Sequence, residues 1–163
     1  MTVSEIAVRM IERLNGNLDD INHCLKVYAY AKTIGECEKL DRKAQEVLEA
    51  AAIMHDIACP LCREKYGNTN ARYQEAEGKI LAAAFLEDSN CPDDFIERVV
   101  FLVGHHHTLS DIAGMDHQIL IEADYLVNAD ENHYSPAQIR SVMEQVFRTR
   151  TGIALLKTVY GLE

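Results

Sequence analysis

The eight residues Ala50-Ala51-Ala52-Ile53-Met54-His55-Asp56-Ile57 restrict the architecture more than any other stretch of the chain. An alanine-rich, aliphatic run of this kind favours a buried helix. Here it delivers an imidazole and a carboxylate side by side before the chain turns out at Ala58-Cys59-Pro60. Two polar groups carried into an apolar interior are costly unless each finds a strong partner. A divalent metal ion is such a partner, because imidazole nitrogen and carboxylate oxygen both ligate first-row ions. The alternative is a plain core contact between Asp56 and its neighbour's imidazole.

The remaining sequence reads as helices around that run. Ile6, Met10 and Leu14 fall at helical spacing and predict a first helix from Thr2 to Leu14, stopped by Asn15-Gly16-Asn17. Leu18 to about Leu40 is a second, with Ile21, Leu25, Tyr28 and Ile34 near one face and His23 in its first turns. Asp41 caps a third that continues through Ile57, burying Val47, Leu48, Ala51, Ile53 and Met54. Ala58 to Arg72 carries Pro60, Gly67, Asn68 and Asn70, and predicts a long loop or a loop with a short helix.

Tyr73 to Glu87 is a fourth helix with Ile80, Leu81, Ala84 and Phe85 inward. Pro92 starts a fifth, which runs to His105-His106-His107; Thr108 to Met115 is a polar loop. Asp116 opens a sixth, in which Asp124 lies among the inward residues Ile119, Leu120, Ala123, Leu126 and Val127. Ser135-Pro136 begins a seventh, and Ile153 to Tyr160 packs back on the rest. With no strand candidate and no internal repeat, the expectation is an all-α, single-domain helical bundle over residues 1–163, of about seven to eight helices. Its metal-ligand core covers about residues 18–128, with helices at 135–160 packed against it.

Charge and cysteine usage narrow the function classes. Sixteen basic against twenty-six acidic residues give a formal charge of −10. No basic surplus exists to neutralise a nucleic-acid polymer or an anionic membrane. A small phosphorylated substrate stays compatible, since bound metal reverses the local field. No leader or membrane-length apolar run is visible, so a cytoplasmic, soluble protein is expected. Five cysteines without a leader argue against a disulfide framework. Cys59-Pro60-Leu61-Cys62 has no second Cys/His pair to complete a structural zinc site and no βαβ context for redox work, and reads as two loop thiols.

His23, then His55-Asp56, then the histidine triple, then Asp124, each on or at the end of a helical segment, form an ordered set. That set resembles the HD-domain superfamily of metal-dependent phosphohydrolases, over roughly Leu18 to Asn128. The resemblance implies an HD-type helical fold, a divalent metal centre, and hydrolysis of a phosphoester, commonly of a nucleotide. Its ligands would be His23, His55, Asp56 and Asp124, with His55 and Asp56 at the heart of catalysis. Two nitrogens and two carboxylates suit Mn, Fe, Co, Ni or Mg rather than a thiolate-bound structural zinc. One ion, or two, could activate a water and hold a phosphoryl oxygen.

Two-metal members of the superfamily carry a ligand histidine on the fourth helix, a few residues before a glycine. This chain has Gln74-Glu75-Ala76-Glu77-Gly78 there. Glu77 is one candidate for the second ion; the alternative is a solvent-facing side chain. Three adjacent helical positions spread over about 200 degrees, so one metal cannot take the whole histidine triple unless the helix ends there. His106 is the first candidate, His107 the second, and His105 a supporting residue. Arg63, Lys65 and Arg72 are substrate-phosphate candidates or solvated charges.

The residues after His55-Asp56 lack the glycine common in one large subset, and no Gly-Tyr-Pro element follows the histidines. The substrate is therefore not transferred by resemblance. A di-iron oxygenase and a non-catalytic metal- or ligand-binding sensor are the alternative readings. A homo-oligomer is compatible with either.

Overall fold

Side-chain caps open most of the helices. In the computed structural model, which describes residues 1–162, Thr2 and Glu5 form a reciprocal capping box at the start of α1 (Val3–Leu14). Asn17 accepts from the Asp20 amide at the start of α2 (Leu18–Cys37), and Asp41 from Ala44 at the start of α3 (Arg42–Met54). Chain order continues through α4 (Cys59–Tyr66), α5 (Ala71–Leu86), α6 (Asp93–Val103) and α7 (Met115–Glu131). Ser135 and Gln138 make a second capping box on α8 (Pro136–Gln145), and Thr149 caps α9 (Arg150–Tyr160). These nine helices, with no strand among the described residues, make the chain all-α, as the periodicity predicts.

Helices α3 and α7 form the centre. Every residue of α3 from Val47 to Met54 is buried, and α3 lies against α1, α2, α6 and α7. A helix that is apolar on all sides has to be enclosed by others. α7 is buried from Asp116 to Asp124 and packs along α2 and α9. One apolar cluster runs through the bundle, from Ile6 and Met10 through Leu48, Ile53 and Leu120 to Leu156.

Four expectations are corrected or resolved. α3 stops at Met54, so His55 and Asp56 stand in the turn after the helix, closed by Ile57 N–H to Met54 C=O at 2.9 Å. α2 stops at Cys37 because Lys39 takes a φ of 61°, a left-handed conformation that cannot continue a right-handed helix. Between Ala58 and Arg72 the second of the two readings, a loop with a short helix, is the one observed: α4 has Pro60 in its first turn and ends at Gly67, with φ 70°.

The fourth correction concerns which faces turn inward. On α5 the buried stripe is Gln74, Gly78, Ala82, Phe85 and Leu86, while Ile80 is exposed. On α2 it is His23, Cys24, Val27, Ala31 and Ile34, and Leu25 is exposed. α5 carries alanine on several sides, so composition alone does not fix its rotation. Gly78 does, because α5 meets the end of α6 there: a Cβ at Gly78 would lie 3.1 Å from Val103 Cγ1.

Candidate metal centre

His23 from the second turn of α2, His55 and Asp56 from the end of α3, and Asp124 from the middle of α7 meet beneath one cavity. The two imidazole Nε2 atoms of His23 and His55 are 3.1 Å apart. Asp124 Oδ1 lies 3.2 Å from the first and 3.5 Å from the second, and Asp56 Oδ2 lies 3.4 and 3.6 Å away. Each ring is held from behind. His55 Nδ1–H donates to Ala52 C=O at 2.8 Å, and His23 Nδ1–H to Glu131 Oε2 at 2.7 Å. With the Nδ1 positions used as donors, both Nε2 lone pairs point into the same space, where they repel unless a proton or cation lies between them. This donor set fits a divalent ion.

The other oxygen of Asp56 serves a second group. Asp56 Oδ1 is 3.5 Å from His106 Nε2, and Asp56, His106 and His107 place one ligand atom each within 4.8 Å of one another. His106 Nδ1–H donates to Val103 C=O at 2.7 Å, turning its Nε2 inward in the same way as His55. α6 ends at Val103, and this lets neighbouring histidines approach one site. His105 turns away, stacked on Phe101 with ring centroids 4.2 Å apart.

Electrostatics in the cluster follow from its burial. Burial lowers the His23 imidazole, but Asp124, Asp56 and Glu131 outweigh that and lift it from 6.5 to about 9. Burial raises Asp56, yet His55 and His106 hold it well below the usual carboxylate range. Asp124 is held low in the same way by His23 and His55. His107, lowered first by burial and then by the neighbouring His106, falls to about 4 and is neutral near pH 7. Metal binding would displace the extra proton from His23.

A family model described as HD domain matches residues 20–139. The chain belongs to the HD-domain family. HD domains are metal-dependent hydrolases that bind divalent ions, and the His/Asp cluster of this HD domain could hold one. The fold agrees with a solved structure, the crystal structure of a predicted HD superfamily hydrolase from an uncultured Thermotogales bacterium. That protein is 22% identical, with a TM-score of 0.67 over 98% of this chain and 83% of the other. No curated protein matches the chain.

Not every predicted site residue reaches the HD cluster. Glu77 faces away from it, accepting from Lys65 Nζ and Tyr66 Oη at 2.6 Å each. The residue of α5 that does reach it is Gln74. Its Nε2 donates to Thr69 C=O at 2.6 Å, so its Oε1 is directed at His107 Nε2, 3.0 Å away, and His106 Nε2, 3.3 Å away. The stripe Gln74–Gly78–Ala82 was the available signal, obscured by taking Ile80 and Leu81 as the inward face. Lys65 is committed to Glu77, and Arg72 lies over the Tyr73 ring at 4.5 Å. Of the three phosphate candidates, Arg63 lines the cavity, ion-paired with Asp20. Cys59 is buried on the cavity wall and Cys62 is buried behind it.

Glu131, absent from the sequence-based set, holds a ligand ring from a position 108 residues away and is itself braced by Lys26 Nζ at 3.0 Å. Carboxylates behind a metal-bound imidazole fix its tautomer and raise its basicity. Glu131→Ala is therefore expected to weaken metal affinity by about 10- to 100-fold. Glu131→Gln, whose amide oxygen can still accept from Nδ1–H, should recover part of the loss. Titration with Co²⁺, followed by its visible absorption, measures both. Equal affinity in wild type and Glu131→Ala would refute the role.

Proposed function

We propose that this HD domain hydrolyses a small phosphoester, a nucleotide being the first class to test, with water activated at a divalent metal centre. The observation that carries the proposal is the convergence of the His23 and His55 Nε2 atoms, 3.1 Å apart, on the Asp56 and Asp124 carboxylates at the floor of an open cavity. His23, His55, Asp56 and Asp124 would hold one ion. Asp56 Oδ1 with His106 and His107 would hold a second. A divalent ion in such a site supplies Lewis acidity and a low-pKa water.

The side chains do the positioning. Glu131, Ala52 C=O and Val103 C=O orient three imidazoles with Nε2 inward, and Asp56 presents one oxygen to each group. Gln74 Oε1 accepts from His107, where two-metal relatives would have a ligand histidine. Arg63 stands on the wall as the cation nearest an incoming phosphoryl group. The acidic chain opposes a nucleic-acid polymer as partner, and no helix among the described residues is long and apolar enough to cross a membrane.

Metal stoichiometry tests the reading. Protein purified without chelator should carry about one or two equivalents of Mn, Fe, Co, Ni or Mg, released in His55→Ala. In that metal it should liberate phosphate from a panel of phosphoesters. No metal in either protein after reconstitution would leave a binding module. Oxygen consumption by Fe²⁺-reconstituted protein, with no phosphate released, would instead favour an oxygenase.

A further inference from the structure

The walls of the cavity above the metal-ligand cluster carry information about the substrate, given the phosphohydrolase reading on which this inference rests. The cavity measures about 620 Å³. Its charged lining consists of Asp19, Asp20, Asp56, Asp124 and Glu131 against the single cation Arg63, whose guanidinium is already paired with Asp20. Of the nearby cations, Lys26 offsets Glu131, and Lys65 is held by Glu77 outside the lining. With neutral histidines and Lys26 set against Glu131, two divalent ions leave a surplus of about one positive charge, less than a single phosphomonoester neutralises.

A phosphomonoester brings roughly −1.5 to −2 charge and three acceptor oxygens, which the metal centre can accept. Each further phosphate adds charge and acceptor oxygens that need cations or N–H donors. The walls offer carboxylates, the amide donors of Gln74, Asn128 and Asn132 being taken up by other protein groups, and in a partly enclosed site such repulsion is weakly screened.

Another part of the lining has a different character. Ile121, Val142 and Val146 form an apolar shelf beside Tyr125 and Tyr134, whose rings lie 5.8 Å apart at 32°. The Tyr125 hydroxyl is buried and has no hydrogen-bond partner. That hydroxyl is closed off, so Tyr125 lines the cavity with its ring, an apolar aromatic surface that suits a planar body.

We propose that the site selects phosphomonoesters, a single phosphoryl group on an uncharged, planar organic body, and rejects di- and triphosphates. The phosphoryl group sits over the His/Asp cluster, and the body lies on the Ile121–Val146 shelf against the Tyr125 ring. In the reaction water adds to phosphorus and the P–O ester bond breaks. Its electron pair goes to the alcohol oxygen, which takes a proton, and alcohol and inorganic phosphate leave. No oxidant or reductant is needed.

The test is a charge ladder on the metal-loaded protein: a nucleoside 5′-monophosphate, the diphosphate and the triphosphate of the same base, and a small sugar phosphate. We expect kcat/KM for the monophosphate to exceed that for the triphosphate by at least about tenfold. Val142→Ser, which makes the shelf polar, should lower kcat/KM for the nucleoside monophosphate about fivefold, carried by KM, with little change for the sugar phosphate, which has no planar body to lay there. A triphosphate turned over as well as the monophosphate overturns the selectivity while leaving the phosphohydrolase reading intact. An unchanged KM in Val142→Ser overturns the placement of the body. Failure to release phosphate from any ester overturns that reading and this inference together.

Discussion

Asp56→Ala is expected to empty both ligand groups at once and to reduce phosphate release by about 10³-fold or more. The reason is geometric. Asp56 is the residue whose two oxygens face different imidazole sets, Oδ2 toward His23 and His55 at 3.4 and 3.6 Å, and Oδ1 toward His106 at 3.5 Å. His55→Ala and Asp124→Ala should likewise abolish binding at the first group, since each removes a donor that the others cannot replace. His107→Ala touches the second group alone and should lower stoichiometry without removing the first ion. Mass-spectrometric metal content of the four variants, with circular dichroism to confirm an unchanged helical signal, provides the check. Full metal content in Asp56→Ala would refute the site.

The largest stability effect is expected far from that cluster, at Glu122. This residue of α7 is fully buried, and its carboxyl group accepts from Gln118 Nε2 at 2.8 Å, Arg148 N–H at 2.7 Å, Thr149 N–H at 3.0 Å and the Thr149 hydroxyl. It thus satisfies the backbone where α8 hands over to α9. Glu122→Ala leaves these buried donors without an acceptor, at a cost of at least about 3 kcal/mol. For a chain of this size that lowers Tm by roughly 6–12 °C. Gly152→Ala should act in the same direction, because a Cβ there would clash with Glu122 Oε2 and Thr149 Oγ1. Thermal denaturation followed by circular dichroism measures both variants. A fall of less than about 2 °C in Glu122→Ala would contradict the account. The bonds also have a functional side, since they secure α8 and its C-cap, which bring Val142 and Val146 to the cavity wall.

Much of the site was legible because its residue types are expensive to bury without a partner. His55-Asp56 at the end of an apolar helix, and Asp124 among inward aliphatic residues, each signalled a ligand by cost alone. Their supporting residues carried no such signal. Glu131 is an ordinary acidic residue near the end of a helix until the fold brings it to His23 Nδ1. Glu122 resembles any helix carboxylate until the α8–α9 turn closes on it. Tyr125 reads as one more partly apolar position of α7.

Local sequence determined the helices, because caps, glycines and apolar spacing act within a few residues. It also determined the residue types that could bind a metal. Tertiary structure alone decided which way α5 is rotated, and hence that Gln74 rather than Glu77 meets the histidines. It likewise decided that α3 ends at Met54, freeing His55 and Asp56 to face one point with His23 and Asp124. Alanine-rich helices present almost the same surface on every side, so their rotation is set by the neighbours against which they close-pack.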